Sequence, residues 1–264
     1  MATMRRIELS SAAAGQRADN YSVQMQPPMN LGSGQWSVAV GQIAVWHTYQ
    51  NINPTYGNQQ FSFSIDGGSN VYTATLRPGS YSAPDLIAAM EEQMNELSGT
   101  ADNDDEDPKA SDLIVLEVSE ATLGFRLTLG TDCSINLAAN GSQLYRIFGA
   151  EAVEYDTVGT TYFPNQADIT NGITGLQLHC NLADSCFNGV ASDILFSFSI
   201  DEPPGYLYSV LVPYPQFVPC TTNVLNQIAL RITDNLGRPV DFVNGPDFQT
   251  NASTVTLLLR RDSA

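Results

Sequence analysis

A hydrolytic nucleophile needs a histidine beside a serine or cysteine, and this 264-residue chain offers two histidines, His47 and His179. His47 follows Trp46 at the end of an apolar alternating run, and His179 lies inside another, Leu176 to Leu182. Each therefore reads as a structural strand residue and not as a general base. His179-Cys180 with Cys186 invites a metal reading. Zinc sites, however, use a Cys-x2–4-Cys knuckle and a second ligand pair at similar spacing, and neither is present. The four cysteines, Cys133, Cys180, Cys186 and Cys220, are too few and too irregularly spaced for a disulfide framework, so buried free thiols are expected. The run Asp102 to Asp107 has the oxygen ligands calcium wants, but it lacks the turn glycine and the distant bidentate glutamate of a calcium loop. It reads as an exposed acidic loop, within a longer one over about 99–112. No glycine-rich phosphate loop occurs, and abundant carboxylates do not by themselves make a glycosidase pair. The sequence assigns no catalytic residue, no cofactor and no metal site, and the expectation is a protein that is not an enzyme.

Charge narrows the partners. The formal net charge is −17 and Lys109 is the sole lysine, so the surface repels phosphate backbones and direct nucleic-acid binding is disfavoured. Arg5-Arg6 and Arg260-Arg261 are the nearest approach to basic patches, and pairs this small read as rim ion-pair partners. Only 15% of residues are charged, so Asn, Gln, Ser, Thr and Gly must cover the surface, which suits faces that other subunits will bury. No signal-peptide order and no apolar run of about 20 residues is seen, so no membrane span is expected, and the chain is read as made inside a cell. Without a secretory route the sequons at Asn140 and Asn251 are chance matches. Aromatic residues at strand ends, Trp46, Tyr49, Tyr56, Tyr206, Tyr208 and Tyr214, suit core or subunit contacts better than sugar stacking.

The elements that must carry these residues are mostly strands. After a polar leader of about 1–35, residues 36 to 46 alternate in phase at Trp36, Val38 and Val40 and change phase across Gly41 to Ile43 and Val45, which predicts a bulged strand. Phe61 to Ile65 and Val71 to Leu76 flank Asp66-Gly-Gly-Ser-Asn, whose glycines and asparagine supply the positive φ of a tight hairpin. One helix is well signalled over about 84–97: Ser82 caps it, Pro84 opens it, and Leu86, Ile87, Met90, Met94 and Leu97 form its apolar face. A second, short helix is expected at Gln143 to Phe148. Strand patterns recur at Leu113–Val118, Leu123–Leu129, Leu176–Leu182, Ile194–Ile200, Tyr206–Val212, Val224–Thr233, Val240–Val243 and Val255–Leu259. Many short alternating strands around one helix predict an all-β fold, a single jelly-roll β-sandwich with one main inserted helix. Without a linker or repeat, residues 1–264 read as one domain.

The order of segments carries a resemblance. Trp46-His-Thr-Tyr-Gln-Asn-Ile-Asn, a hairpin, Leu76-Arg-Pro-Gly-Ser-Tyr with its helix, Gln143-Leu-Tyr-Arg-Ile-Phe-Gly, Leu176-Gln-Leu-His-Cys-Asn-Leu, Ile228 to Phe242 and a close on Val255-Thr-Leu-Leu-Leu-Arg-Arg together resemble the jelly-roll penton and minor capsid proteins of the Polinton/Maverick, virophage and related double-stranded DNA virus group. The turn at Asn235-Leu-Gly-Arg is expected to set Val255–Leu259 beside the strand before it. The resemblance implies a virion protein: a vertex capsomer, a homopentamer on an icosahedral fivefold axis that contacts major capsid proteins and other minor capsid proteins. A carbohydrate-binding attachment or spike sandwich is the alternative, and a glycan-cleaving jelly roll a weaker third, since the fold hosts all three.

Overall fold

The computed structural model describes residues 4–101, 108–119, 124–187, 189–202, 204–240, 242 and 251–262. Where the sequence reads as one domain, the contacts divide the chain into two compact units, residues 1–49 with 173–264, and residues 50–172. The first unit starts with β1 (Met4–Ser10), a short helix α1 (Ser11–Ala14), β2 (Asn20–Asn30) and β3 (Trp36–Trp46). The second unit holds β4 (Gln60–Ser64), β5 (Tyr72–Thr75), α2 (Ala83–Ser98), α3 (Ala110–Leu113), β6 (Ile114–Ser119), β7 (Gly124–Leu129), β8 (Ser134–Asn136), α4 (Leu144–Phe148), β9 (Glu154–Tyr155) and β10 (Gly159–Tyr162). The chain then returns to the first unit with β11 (Leu176–Cys180), β12 (Ser185–Phe187), β13 (Val190–Ser192), β14 (Ile194–Phe198), β15 (Leu207–Leu211), β16 (Val218–Pro219), β17 (Val224–Asp234) and β18 (Thr254–Arg261).

The first unit is a jelly roll. One antiparallel sheet runs β1-β18-β3-β15, with β16 also on β3, and the other runs β14-β11-β17-β2. Counted along the chain, the eight long strands stand in the order first-eighth-third-sixth and second-seventh-fourth-fifth, the order of two Greek keys. Inward side chains of both sheets, among them Val38, Ile43, Val45, Leu178, Ile228, Leu230, Val255 and Leu257, are buried and form the core. The phase change at Gly41 is a bulge: Thr256 faces Gln42 and Leu257 faces Val40, leaving Gly41 as the extra residue. A Cβ on Gly41 would lie 3.0 Å from the Leu258 side chain, so the lack of a side chain lets the two strands close there.

The segment read as a polar leader supplies two edge strands of this sandwich. It looked polar because edge strands bury little: β1 buries Ile7 and Leu9, and β2 buries Tyr21. The turn after β17 forms as expected around Gly237, with Asp234 accepting from the Leu236 and Arg238 amides at 2.9 and 2.8 Å. It does not, however, set β18 beside β17. Strand β18 lies in the other sheet, between β1 and β3, because its alternating apolar residues fill the gap between those two strands. Of Val240–Val243, residues 241 and 243 lie outside the described residues, and Pro239 and Phe242 make isolated bridges to Thr233 and Tyr49.

The inserted unit has its own core. Sheets β5-β4-β8-β9 and β10-β7-β6 and the helices α2 and α4 bury Phe61, Phe63, Leu86, Met90, Met94, Leu127, Ile135, Ile147 and Phe148. The signalled helix is present as α2: Ser82 Oγ accepts from the Asp85 amide at 3.3 Å, and Gly99 closes the helix in the left-handed region. Leu97 keeps the helical phase but is exposed, since that last turn extends past the core. In the β4–β5 turn only Gly67 and Gly68 take positive φ; Asn70 instead donates its amide to the Asp66 carboxylate at 2.9 Å. The acidic run Asp102 to Asp107 lies outside the described residues.

Two expectations follow. Gly149 closes α4 at φ +71°, and a Cβ there would sit 2.2 Å from the carbonyl oxygen of Asn165. Gly149→Ala should therefore cost roughly 3 kcal/mol or more, read by denaturant unfolding of the whole chain. Cys133 and Cys180 are buried as expected, Cys220 is half-buried, and Cys186 is exposed, against the expectation, because it lies on the small β12–β13 ladder. Burial pushes the Cys180 thiol up to about 12 and Cys220 up to about 11, so little thiolate is available at either. Alkylation at pH 8 followed by peptide mapping should label Cys186 first, Cys220 slowly, and Cys133 and Cys180 only on unfolding; equal rates at all four would contradict the fold.

Candidate contact surfaces

The histidines and their neighbours form the most reaction-like geometry in the described residues. His179 Nδ1 lies 2.6 Å from Asp193 Oδ1, and Nε2 lies 2.9 Å from Thr233 Oγ1, with Arg231 3.7 Å from the same carboxylate. An acid, an imidazole and a hydroxyl in line have the form of a nucleophile relay. The hydroxyl, however, is 1% exposed and also donates to the Asp234 carbonyl at 3.2 Å, so no substrate atom can reach it. The cluster pins β11 to β17 and to the segment entering β14. His47 does similar work at the end of β3: Nδ1 donates to the Glu202 carbonyl at 2.5 Å, and the ring stacks on Tyr49 with centroids 4.4 Å apart. It holds the β14–β15 connection against β3, helped by its own amide, which donates to the Tyr206 carbonyl at 2.8 Å.

Among the described residues no group of three or more His, Cys, Asp or Glu side chains is arranged to hold a metal ion. The arginine pairs from the two ends of the sequence are brought together by the β1–β18 register, which sets Met4 opposite Arg260. They are engaged locally, as rim partners: Arg6 with Glu8 at 3.6 Å, Arg260 with Asp262 at 3.7 Å, Arg260 over the Phe217 ring at 4.0 Å and Arg5 over Trp36 at 5.7 Å. A cavity of about 280 Å³ in the inserted unit is lined by Gln59, Gln60, Asn140 and Ser142 with Pro54 and two glycines, and has no aromatic platform for a sugar. A second, of about 360 Å³, is bordered by Asp132, Glu154 and Asp156.

Four exposed large apolar residues, Tyr206, Leu207, Leu211 and Tyr214, lie in or next to one strand. Among the described residues strand β15 pairs on one edge only, with β3, and its outward row is Leu207, Ser209 and Leu211, opposite Trp46, Ala44 and Gln42. Leu207 and Leu211 are 45% and 72% exposed, and Tyr206 and Tyr214, next to the strand, are 61% and 82% exposed. An uncharged aliphatic row with tyrosines at its ends, on an edge strand, has the chemistry that protein contacts use. Of the six strand-end aromatics, Tyr49 is buried, Trp46, Tyr56 and Tyr208 are half-buried, and only Tyr206 and Tyr214 are available. Tyr208 stacks on Phe198 at 5.7 Å, tying β15 to β14. Strand alternation marked Leu207 and Leu211 as a strand, but which face meets solvent depends on the sheet order, which local pattern does not carry.

No family model matches the sequence, and no curated protein matches it. Among solved structures, the crystal structure of the mavirus penton protein matches with a TM-score of 0.50 at 10% identity, over 99% of this chain and 100% of that one. The cryo-EM structure of the Sputnik virophage matches with a TM-score of 0.46 at 12% identity, over 98% of each chain. Along its whole length, inserted unit included, this chain has the fold of the mavirus penton protein, and the resemblance read from its sequence holds at the level of that fold.

Proposed function

We propose that the chain is a structural virion protein, the penton capsomer of a double-stranded DNA virus. Five copies form a ring on each icosahedral fivefold axis, contact the surrounding major capsid proteins and other minor capsid proteins, and assemble inside the host cell. The observation that carries this is the whole-chain likeness to a penton protein, since a shared jelly roll alone would fit many functions. The two units together act as one capsomer domain. No catalytic, cofactor or metal site enters the reading, and neither does direct nucleic-acid contact.

The distribution of charge supports the ring. Residues 50–172 carry 18 Asp and Glu against 4 Lys and Arg, a net of −14, while the jelly-roll unit carries 10 against 7, a net of −3. Copies of the near-neutral jelly roll can approach one another without the repulsion that a net −17 spread evenly would impose. The acidic run Asp102 to Asp107 falls in the sequence of the inserted unit, and a variant neutralising it is expected still to assemble. A carbohydrate-binding spike would use Tyr206 and Tyr214, but these flank an aliphatic row, which favours protein contact.

A cryo-EM map of particles containing this protein is expected to show it as a ring of five at the vertices. A resolved shell with the protein elsewhere would overturn the reading.

A further inference from the structure

Two long stretches of the sequence carry no Asp, Glu, Lys or Arg at all: residues 20–65 and 203–230. In a chain of net charge −17 this is a strong local departure, and each stretch includes one edge strand of the jelly roll. The first contains β2, one edge of the second sheet, and the second contains β15, an edge of the first. The sandwich has two flanks. On one, edges β1 and β2 are joined by Arg5 donating to the Asn30 carbonyl at 3.4 Å; on the other, β14 and β15 are joined by the Phe198–Tyr208 stack.

The flanks differ in shape. On β17, Leu225 and Gln227 face Met29 and Gln24 of β2, so Met25 to Pro28 bulge out of the edge, with Gln26, Pro27 and Pro28 exposed. A bulge with two prolines cannot add a strand to a neighbouring sheet, so contact here must be made by side chains. On the opposite flank the edge strand β15 carries the apolar row Leu207 and Leu211, on the outer face of its sheet. Strand β1, which shares this flank, carries Arg5, Arg6 and Glu8, a net of +1, with Arg6 and Glu8 3.6 Å apart, so it does not repel an anionic neighbour.

We infer that the β14/β15 flank of one copy packs on the β1/β2 flank of the next, Leu207 and Leu211 covering the Met25–Pro28 bulge of a second copy of this chain. The two rows that would meet carry no charge, as interface cores do, and the nearby charges are opposite in balance, Asp201 and Glu202 in the β14–β15 connection against Arg5, Arg6 and Glu8 in β1. Because the two flanks are different surfaces on opposite sides of one sandwich, the contact is head-to-tail and continues from copy to copy until it closes. The inference deepens the penton reading and rests on it for closure at five.

The test uses two variants of the full chain, L207E/L211E and Q24E/Q26E, all four positions lying outside the buried core so that folding is retained, as circular dichroism and melting will verify. Native mass spectrometry of the unaltered chain should show oligomers, and each variant alone should associate at least tenfold more weakly. Mixed, the two variants should give a one-to-one heterodimer and nothing larger, since each keeps the flank the other has lost. In particles, a photo-cross-linker at position 211 should recover a peptide from 20–30 of another copy. Variants that assemble like the unaltered chain, or cross-links from 211 to any other surface, overturn the inference even if the protein sits at the vertices as a ring of five. The heterodimer together with a non-vertex location would instead overturn the penton reading and leave this contact standing.

Discussion

Strand β18 makes backbone hydrogen bonds along both of its edges, to β1 on one side and β3 on the other, and the jelly roll is complete only when it is in place. Without it, β1 has no partner in its sheet and β3 loses one side of its ladder. The pairing is also the least local in the chain, since Met4 faces Arg260. Contacts of this span are slow to find, because the loop they close must be ordered before the contact gives anything back. The ladder tolerates the 123 residues of the inserted unit between β3 and β11 for a related reason. Loop-closure cost grows only with the logarithm of length, so lengthening a short connection to that size costs roughly 3 kcal/mol, less if the insert folds on its own buried core. Phe61, Met90, Leu127 and Phe148 give it that core.

Local chemistry in the sequence was enough to locate α2, its Ser82 cap, the hairpin around Gly67-Gly68 and the bulge at Gly41, because each depends on residues within a few positions of one another. The same reasoning failed for β1 and β2. Edge strands bury one side chain in three or fewer, so their alternation fades into the look of a polar leader. The placement of β18 was hidden for a different reason: its apolar pattern shows that it is a strand but does not show which strand it lies beside. His179 makes the same point for sites. Its partners Asp193 and Thr233 stand 14 and 54 residues away, and only the register of β11 against β17 and β14 brings them together.

Charge is where sequence and fold inform each other most. Read along the chain, the −17 is an average, and its division into −3 and −14 becomes visible only when the boundaries at 49 and 173 are known. Asp234 shows how the jelly-roll unit keeps its few charges quiet: it is fully buried, and its carboxylate accepts from two backbone amides and from Arg238 Nε at 2.5 Å. The inserted unit has four basic residues for eighteen acidic ones, and Arg126, held by Glu117 at 2.8 and 3.0 Å, is already committed. The strongly anionic and the nearly neutral surfaces of this protein are thus the property of different folding units.

The β1–β18 pairing also has a mechanical side. The two strands are antiparallel, with Met4 beside Arg260, so the outer ends of both lie together at one end of the sheet. A load drawn through those two ends would open the ladder one hydrogen bond at a time, as a zip opens, and the sandwich is weak in that direction. A load applied across the flanks meets all the bonds of the ladder together. The sandwich is thus soft when pulled by those two ends and stiff when loaded across its flanks.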